Sequence, residues 1–247
     1  MLDDPPVSHP TRIRAAVRRR LLMLRHRGDA VRCPLCGHAF DAFQHAWNRP
    51  DAICWRCGSH ERHRFQALLF EQRPDLLART GALLHFAPEY CLRRILSADA
   101  DRRGARYVTT DLEPEGVDLQ LDLTKLDLPD DAFDAVICSH VLEHIPTDAA
   151  AMRELRRVTR PGGWCLIMVP LDTRRERTYE DPAITTPEAR QAAFLQHDHV
   201  RLYAPDIEGR LTAAGFAVEV LRPRAMLGDD AVRRARLLES DWAFLCR

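Results

Sequence analysis

The sequence predicts an α/β protein, a doubly wound and mostly parallel sheet of seven strands with a small cysteine-bearing module ahead of it. Three observations carry this. From Gly81 onward, short apolar runs alternate with amphipathic helical stretches, the pattern of a parallel sheet covered on both faces. Before that region stand two Cys-x-x-Cys pairs with 17 residues between them. The zero net charge of the 247-residue chain also conceals a division: residues 1–65 carry 12 Arg and 6 acidic residues, whereas residues 66–247 carry 24 basic and 30 acidic ones. Opposite signs point to two modules with different tasks.

Composition sets the outer bounds. A chain that is 46% hydrophobic and 29% charged is neither disordered nor collagen-like. No run approaches the roughly 18 uninterrupted apolar residues of a membrane span. The basic residues are all Arg except Lys125, a bias read first as coding composition. The N-terminal residues lack the basic start, apolar core and small-residue cleavage site of a signal peptide. With the cysteines unevenly spread, a reducing, cytoplasmic setting is expected.

Taken in order, the first dozen residues, with Pro5, Pro6 and Pro10, read as an unstructured lead-in. Thr11 to Arg27 reads as a basic amphipathic helix, with Ile13, Val17, Leu21 and Leu24 at helical spacing. Its stripe is expected to pack on the neighbouring domain while its arginines meet solvent. Residues 1–29 thus form a basic segment, 30–60 a cysteine module and 61–247 the sheet domain.

In the module, Cys33, Cys36, Cys54 and Cys57 form two knuckles, each followed by a glycine, Gly37 or Gly58. Two such knuckles bring four thiolates to tetrahedral corners, the closed geometry of structural Zn2+. The segment looks like a zinc ribbon, with Phe40, Phe43, Trp47 and Trp55 supplying a miniature core. Its charge permits an RNA-facing role. The remaining thiols, Cys91, Cys138, Cys165 and Cys246, lie in apolar segments and are expected in the core.

Beyond a helical stretch at 61–79, broken near Pro74, strands are expected at 83–86, 106–110, 117–121, 133–138, 164–170, 216–221 and 242–246. A helix at Ala149–Val158 should stop at Pro161-Gly162-Gly163. In an open parallel sheet, ligands bind beyond the carboxyl ends of the strands. Those ends carry His85, Phe86, Ala87, Pro88 and Glu89, then Asp111 and Leu112, then Asp122 and Leu123, then Ser139 and His140. An acid after the second strand suits a ribose diol, and one after the third an adenine amino group.

The run LDLPDDAFDAVICSHVLEHIPTDAAAMRELRRVTRPGGWCLIMVP resembles the class I S-adenosylmethionine-dependent methyltransferases of the methyltransferase-11 type. The resemblance covers about two-thirds of the chain, from Leu83 to the C-terminus. It implies a Rossmann-like fold whose reversed last strand is inserted into the sheet. It further implies S-adenosylmethionine as cofactor, held by His85, Phe86, Ala87, Pro88, Glu89, Asp111, Leu112, Asp122, Leu123, Ser139 and His140. One departure stands out. Ala87 and Glu89 occupy positions where the family places glycines, and Pro88 removes a backbone donor. Glu89 pairing with the methionine ammonium, with Pro88 starting the next helix, is the expected alternative grip.

His140 and His199 are the candidate bases, since imidazole titrates near neutrality. His144 is expected to hold the turn of its motif. Residues 171–203, including Tyr179, Glu180 and Asp181, are expected to form a substrate-side lid or wall. Three readings follow. The first is methyl transfer to oxygen or nitrogen of a small molecule or glycan. The second is an rRNA or tRNA methyltransferase that uses the basic zinc module on RNA, although no Asn-Pro-Pro-Tyr-like motif is present. The third is a non-catalytic binding protein.

Overall fold

The computed structural model describes residues 9–46 and 49–247, with side chains of the first helix from Ala16 onward. Pro5, Pro6, the Ile13 side chain and Trp47 lie outside the described residues. Helix α1 (His9–Arg25) begins inside the segment expected to be unstructured. Its stripe is not covered as expected: Val17, Leu21 and Leu24 are 52%, 61% and 65% exposed. An amphipathic pattern reports an apolar face, not what covers it. Near the helix end, Met23 packs against the neighbouring core.

Two antiparallel hairpins follow, β1 (Arg27–Arg32) with β2 (Ala39–Phe40), and β3 (Gln44–Ala46) with β4 (Arg49–Ile53). A cysteine knuckle follows β1 and another follows β4. In each, a left-handed glycine turns the chain back: Gly37 N–H donates to the Cys33 carbonyl at 2.8 Å, and Gly58 N–H to the Cys54 carbonyl at 3.0 Å.

Helices α2 (Glu61–Gln72) and α3 (Pro74–Ala78) are divided at Pro74, which lacks an amide donor. The sheet domain then runs β5 (Ala82–Phe86), α4 (Tyr90–Arg103), β6 (Arg106–Asp111), β7 (Leu119–Gln120) and β8 (Phe133–Ser139). After a short 3-10 turn at Leu142–His144 come α5 (Asp148–Val158), β9 (Thr159–Met168), β10 (Tyr179–Glu180) and α6 (Pro187–Phe194). The last elements are β11 (Arg201–Leu202), α7 (Ile207–Ala213), β12 (Val218–Leu221), α8 (Pro223–Ala235) and β13 (Ala243–Cys246).

Seven strands form one sheet in the order β12-β13-β9-β8-β5-β6-β7. Strands β5 to β9 are mutually parallel, and β13 is inserted antiparallel between β9 and β12. The chain moves outward from β5 through β6 to β7, then returns to β8 on the other side of β5. That reversal opens a crevice beyond the carboxyl ends of β5 and β8.

Two bounds differ from expectation. The strand expected at 117–121 contracts to two exposed edge residues, Leu119 and Gln120. The Pro161-Gly162-Gly163 segment lies inside β9 instead of separating helix from strand. There β9 passes so close to β8 that a Cβ on Gly163 would fall 2.5 Å from the Asp134 carbonyl oxygen.

Strand side chains alternate between two buried faces, as the pleat requires. Leu83, Trp164, Leu166 and Leu245 join one core with α2, α4 and α8, while Leu84, Cys165, Ile167 and Phe244 join the other with α5 and α7. Cys91, Cys138, Cys165 and Cys246 are all buried. The cysteine module is not a separate miniature core: Val31, Phe40 and Phe43 belong to the first face's cluster.

Arg64 fastens this junction. Fully buried on α2, it donates to the carbonyls of Ala52, Ser59, Asp51, Ala235 and Arg236 at 2.6–3.3 Å, with its guanidinium 4.4 Å from the Phe43 ring centroid. Carbonyls of the module and of the end of α8 are satisfied by one side chain.

Candidate active site

The crevice is built from the ends of β5, β6 and β8, with α2 as a wall. Ala87, just past β5, has a φ of 45°, so the left-handed turn expected of glycine is adopted by alanine. That conformation costs an L-residue about 1–2 kcal/mol. Its amide is anchored on the Thr110 carbonyl at 2.8 Å. Pro88 does not start the helix; α4 begins at Tyr90 with Glu89 at its N-cap. The Glu89 carboxylate makes no capping bond and turns to two imidazoles instead. His63 Nε2 lies 3.0 Å from its Oε1, and His85 Nε2 3.6 Å from its Oε2. Burial alone would raise the pKa of Glu89, but the two imidazoles outweigh it and hold the group well below the usual carboxylate range.

Around this carboxylate, buried polar atoms lack hydrogen-bond partners among the described residues. Gln66 Oε1 and Thr110 Oγ1 have none, while Arg62 Nε, His63 Nε2, His85 Nε2 and the two Glu89 oxygens meet only one another, at 3.0–3.8 Å and without well-formed hydrogen bonds. Native interiors leave few such atoms, so this concentration at the strand ends makes a candidate polar ligand site. The donors and acceptors are mixed, which suits a ligand carrying both an ammonium and a carboxylate, as the expected cofactor does.

The other expected cofactor residues are distributed along the same edge. Phe86 is buried in the core and His85 bonds Tyr107 at 2.8 Å. Asp111 uses Oδ1 to accept from the amides of Leu112 and Glu113 at 2.7 and 3.4 Å, and its second oxygen accepts no hydrogen bond among the described residues. Leu112 is exposed and Leu123 is buried. Asp122 uses Oδ1 to accept from the amide and hydroxyl of Thr124 at 2.8 and 2.7 Å, the local capping job common for Asp. Ser139 accepts from Gln66 Nε2 at 3.1 Å, joining β8 to α2.

The histidines converge beyond β8. His140 has a φ of 56°, and its Nδ1 lies 3.4 Å from Glu143 Oε1. Burial holds its imidazole well below the usual range, hence neutral. His199 is buried beside His144, ring centroids 4.8 Å apart and edge to face, and burial lowers its pKa too. Glu143 is 1% exposed and burial raises its pKa.

Residues 171–203 contribute the β10–β11 hairpin and α6 over this end of the sheet. Arg201 ties them down. It donates to the carbonyls of Leu142, Ile145 and Pro146 at 3.0, 2.5 and 2.9 Å, and to Glu180 at 2.9 Å.

The sequence did not single out Arg62, Gln66, Glu143 or Arg201, nor His63 as a cleft residue. The available sign was in α2, where Arg62, His63 and Gln66 are polar residues on a helix flanked by apolar ones. Glu143 stands in the sequence only as one residue of the Val141-Leu142-Glu143-His144 run.

The cysteines form the second cluster. The four Sγ atoms of Cys33, Cys36, Cys54 and Cys57 all lie within 4.8 Å of one another. Cys33 and Cys57 Sγ are 3.5 Å apart and Cys36 and Cys54 Sγ 3.7 Å, near the roughly 3.8 Å between sulfurs bound at about 2.3 Å around one tetrahedral ion, and four thiolates are a closed zinc donor set. Between α1, both knuckles and α4 lies a cavity of about 240 Å³ whose lining includes Arg19, Cys36, His38, Arg56, Cys57, Tyr90 and Arg94.

Comparison with known proteins finds sequence similarity over part of the chain. Residues 75–167 match the methyltransferase-11 family model, described as a methyltransferase domain. Over 46 residues the chain is 50% identical to the demethylmenaquinone methyltransferase of Mycobacterium tuberculosis, covering 19% of this chain and 20% of that protein. Over 133 residues it is 32% identical to a Mycolicibacterium smegmatis protein named a probable S-adenosylmethionine-dependent methyltransferase, covering 51% of this chain and 45% of that one. The chain therefore spans less than half the length of these relatives. Among solved structures, an S-adenosylmethionine-dependent methyltransferase from Mesorhizobium loti is 16% identical, with 74% of this chain and 96% of that chain covered at a TM-score of 0.49.

Proposed function

We propose, for a chain that carries a class I S-adenosylmethionine-dependent methyltransferase domain, transfer of a methyl group to an oxygen or nitrogen of a small molecule or glycan. The observation that carries the reading is the cluster of buried, incompletely hydrogen-bonded polar atoms around Glu89 at the switch point of the sheet. Bound there, S-adenosylmethionine supplies a methyl group on an electrophilic sulfonium. Glu89, held ionised by His63 and His85, accepts from the ammonium of the methionine part, and Arg62 answers its carboxylate. Asp111 offers its unspent oxygen to the ribose hydroxyls. His140, neutral at physiological pH, accepts the proton of the acceptor. The hairpin and α6 of residues 171–203 form the acceptor-side wall and exclude water. Proximity and orientation carry most of the acceleration, since the sulfonium needs little further activation.

The four cysteines hold structural Zn2+. Four thiolates close the coordination sphere, so the ion stabilises the module and, through Arg64, the seating of α2. A second reading takes RNA as acceptor. Its support is the cavity lined by Arg19, Arg56 and Arg94 beside Tyr90, which is 77% exposed and available for base stacking.

The test is incubation of the zinc-loaded protein with methyl-labelled S-adenosylmethionine and either a small-molecule extract or total RNA. Label in the small-molecule fraction supports the first reading, and label in RNA the second. Label in neither, with folded protein, contradicts both and leaves the non-catalytic binding role.

A further inference from the structure

We propose that Glu143, His144 and His199 form a second metal site, for a divalent transition ion, at the acceptor side of the crevice. It deepens the methyltransferase reading and rests on it only for its role, not for its existence. One ligand atom from each residue lies within 4.8 Å of the others. Independently, the Glu143 carboxylate is 1% exposed and neither oxygen has a hydrogen-bond partner among the described residues. A carboxylate taken out of water without a donor is costly, and a cation at this point compensates it.

The imidazoles are arranged as metal ligands usually are. His144 presents Nδ1 to Asp198 Oδ2 at 3.3 Å, while its Nε2 faces Glu143 Oε1 at 4.0 Å. His199 presents Nδ1 to the Phe194 carbonyl at 3.3 Å, which leaves Nε2 as its free ring nitrogen. An outer acceptor on one nitrogen fixes the tautomer and orients the other toward an ion. The two segments are held in register by the backbone, because the Val200 amide donates to the Glu143 carbonyl at 2.9 Å.

Two imidazoles and one carboxylate suit Mn2+, Fe2+, Co2+ or Zn2+ and leave coordination positions open. This differs in kind from the closed thiolate cluster. His140 stands beside the carboxylate, its Nδ1 3.4 Å from Glu143 Oε1.

The experiment uses protein carrying one zinc per chain, titrated with Mn2+ alone and followed by calorimetry and electron paramagnetic resonance. One Mn2+ per chain is expected, with hyperfine coupling to imidazole nitrogen. Glu143→Gln and His199→Ala should each weaken binding at least tenfold while zinc stays at one per chain. Should either variant fail to fold, His144→Ala serves, because that side chain is 33% exposed. No Mn2+ binding by folded wild type, Mn2+ without imidazole coupling, or equal affinity in the folded variants overturns the site. S-adenosylmethionine binding is measured in parallel. Its loss with Mn2+ retained overturns the transferase reading alone, and the converse overturns the metal site alone.

Discussion

His63 Nε2 lies 3.0 Å from Glu89 Oε1, so the helix that leaves the cysteine module meets the acid at the mouth of the first sheet strand. Through this contact α2 is both the exit of the module and a wall of the crevice. Replacing Glu89 by Gln keeps the shape and removes the charge. A charge-assisted hydrogen bond contributes about 1.5–3 kcal/mol, so S-adenosylmethionine affinity should fall roughly 10-fold to 150-fold by calorimetry. Unchanged affinity would remove Glu89 from the cofactor site.

Arg64 answers five backbone carbonyls from one buried guanidinium. Lysine offers three donors from a single atom and cannot span them. Arg64→Lys should lower stability by about 3 kcal/mol, read as a lower urea midpoint at an unchanged slope. A shift within the scatter of surface substitutions would show that the carbonyls find other partners.

Chelation should act beyond the module. With zinc removed, or in Cys54→Ser, the module core that includes Phe40 and Phe43 loses its clamp, and the thermal midpoint should fall by several degrees or more. S-adenosylmethionine affinity should fall with it, because α2 carries Arg62, His63 and Gln66. A chelated protein with unaltered melting and binding would separate the two modules functionally.

Asp241 gives a pH signature. Burial pushes its pKa up from 3.8 to about 7, and Glu61 adds to the shift. The fold thus favours the protonated acid. That contribution is fully present below about pH 4 and is lost as pH rises through about 7. Asp241→Asn should therefore be more stable than wild type at pH 8, with the difference vanishing at pH 4. Denaturant titrations at both values check this, and an equal difference at the two would contradict it.

Much of the sheet was legible because strands buried on both faces, such as Val136–Cys138 and Cys165–Met168, read as continuous apolar runs. The meeting of Cys33, Cys36, Cys54 and Cys57 was legible because each Cys-x-x-Cys pair with its glycine makes a tight knuckle. The edge strand at Leu119–Gln120 was overextended, since an exposed edge has no burial to hold it in register. The uncovered stripe of α1 was missed because periodicity carries no information about a partner. Arg64 and Arg201 were invisible for a related reason: they pair with backbone carbonyls, which every residue possesses. Glu143 and His63 acquire meaning only when separate segments meet, Glu143 against His199 and His63 against Glu89.

The central claim is that this crevice binds S-adenosylmethionine despite lacking glycines at its first turn. Calorimetric titration of folded, zinc-loaded wild-type protein with S-adenosylmethionine tests it most directly. Saturable binding of one molecule per chain is expected. No binding by protein whose circular dichroism and zinc content are intact would contradict it.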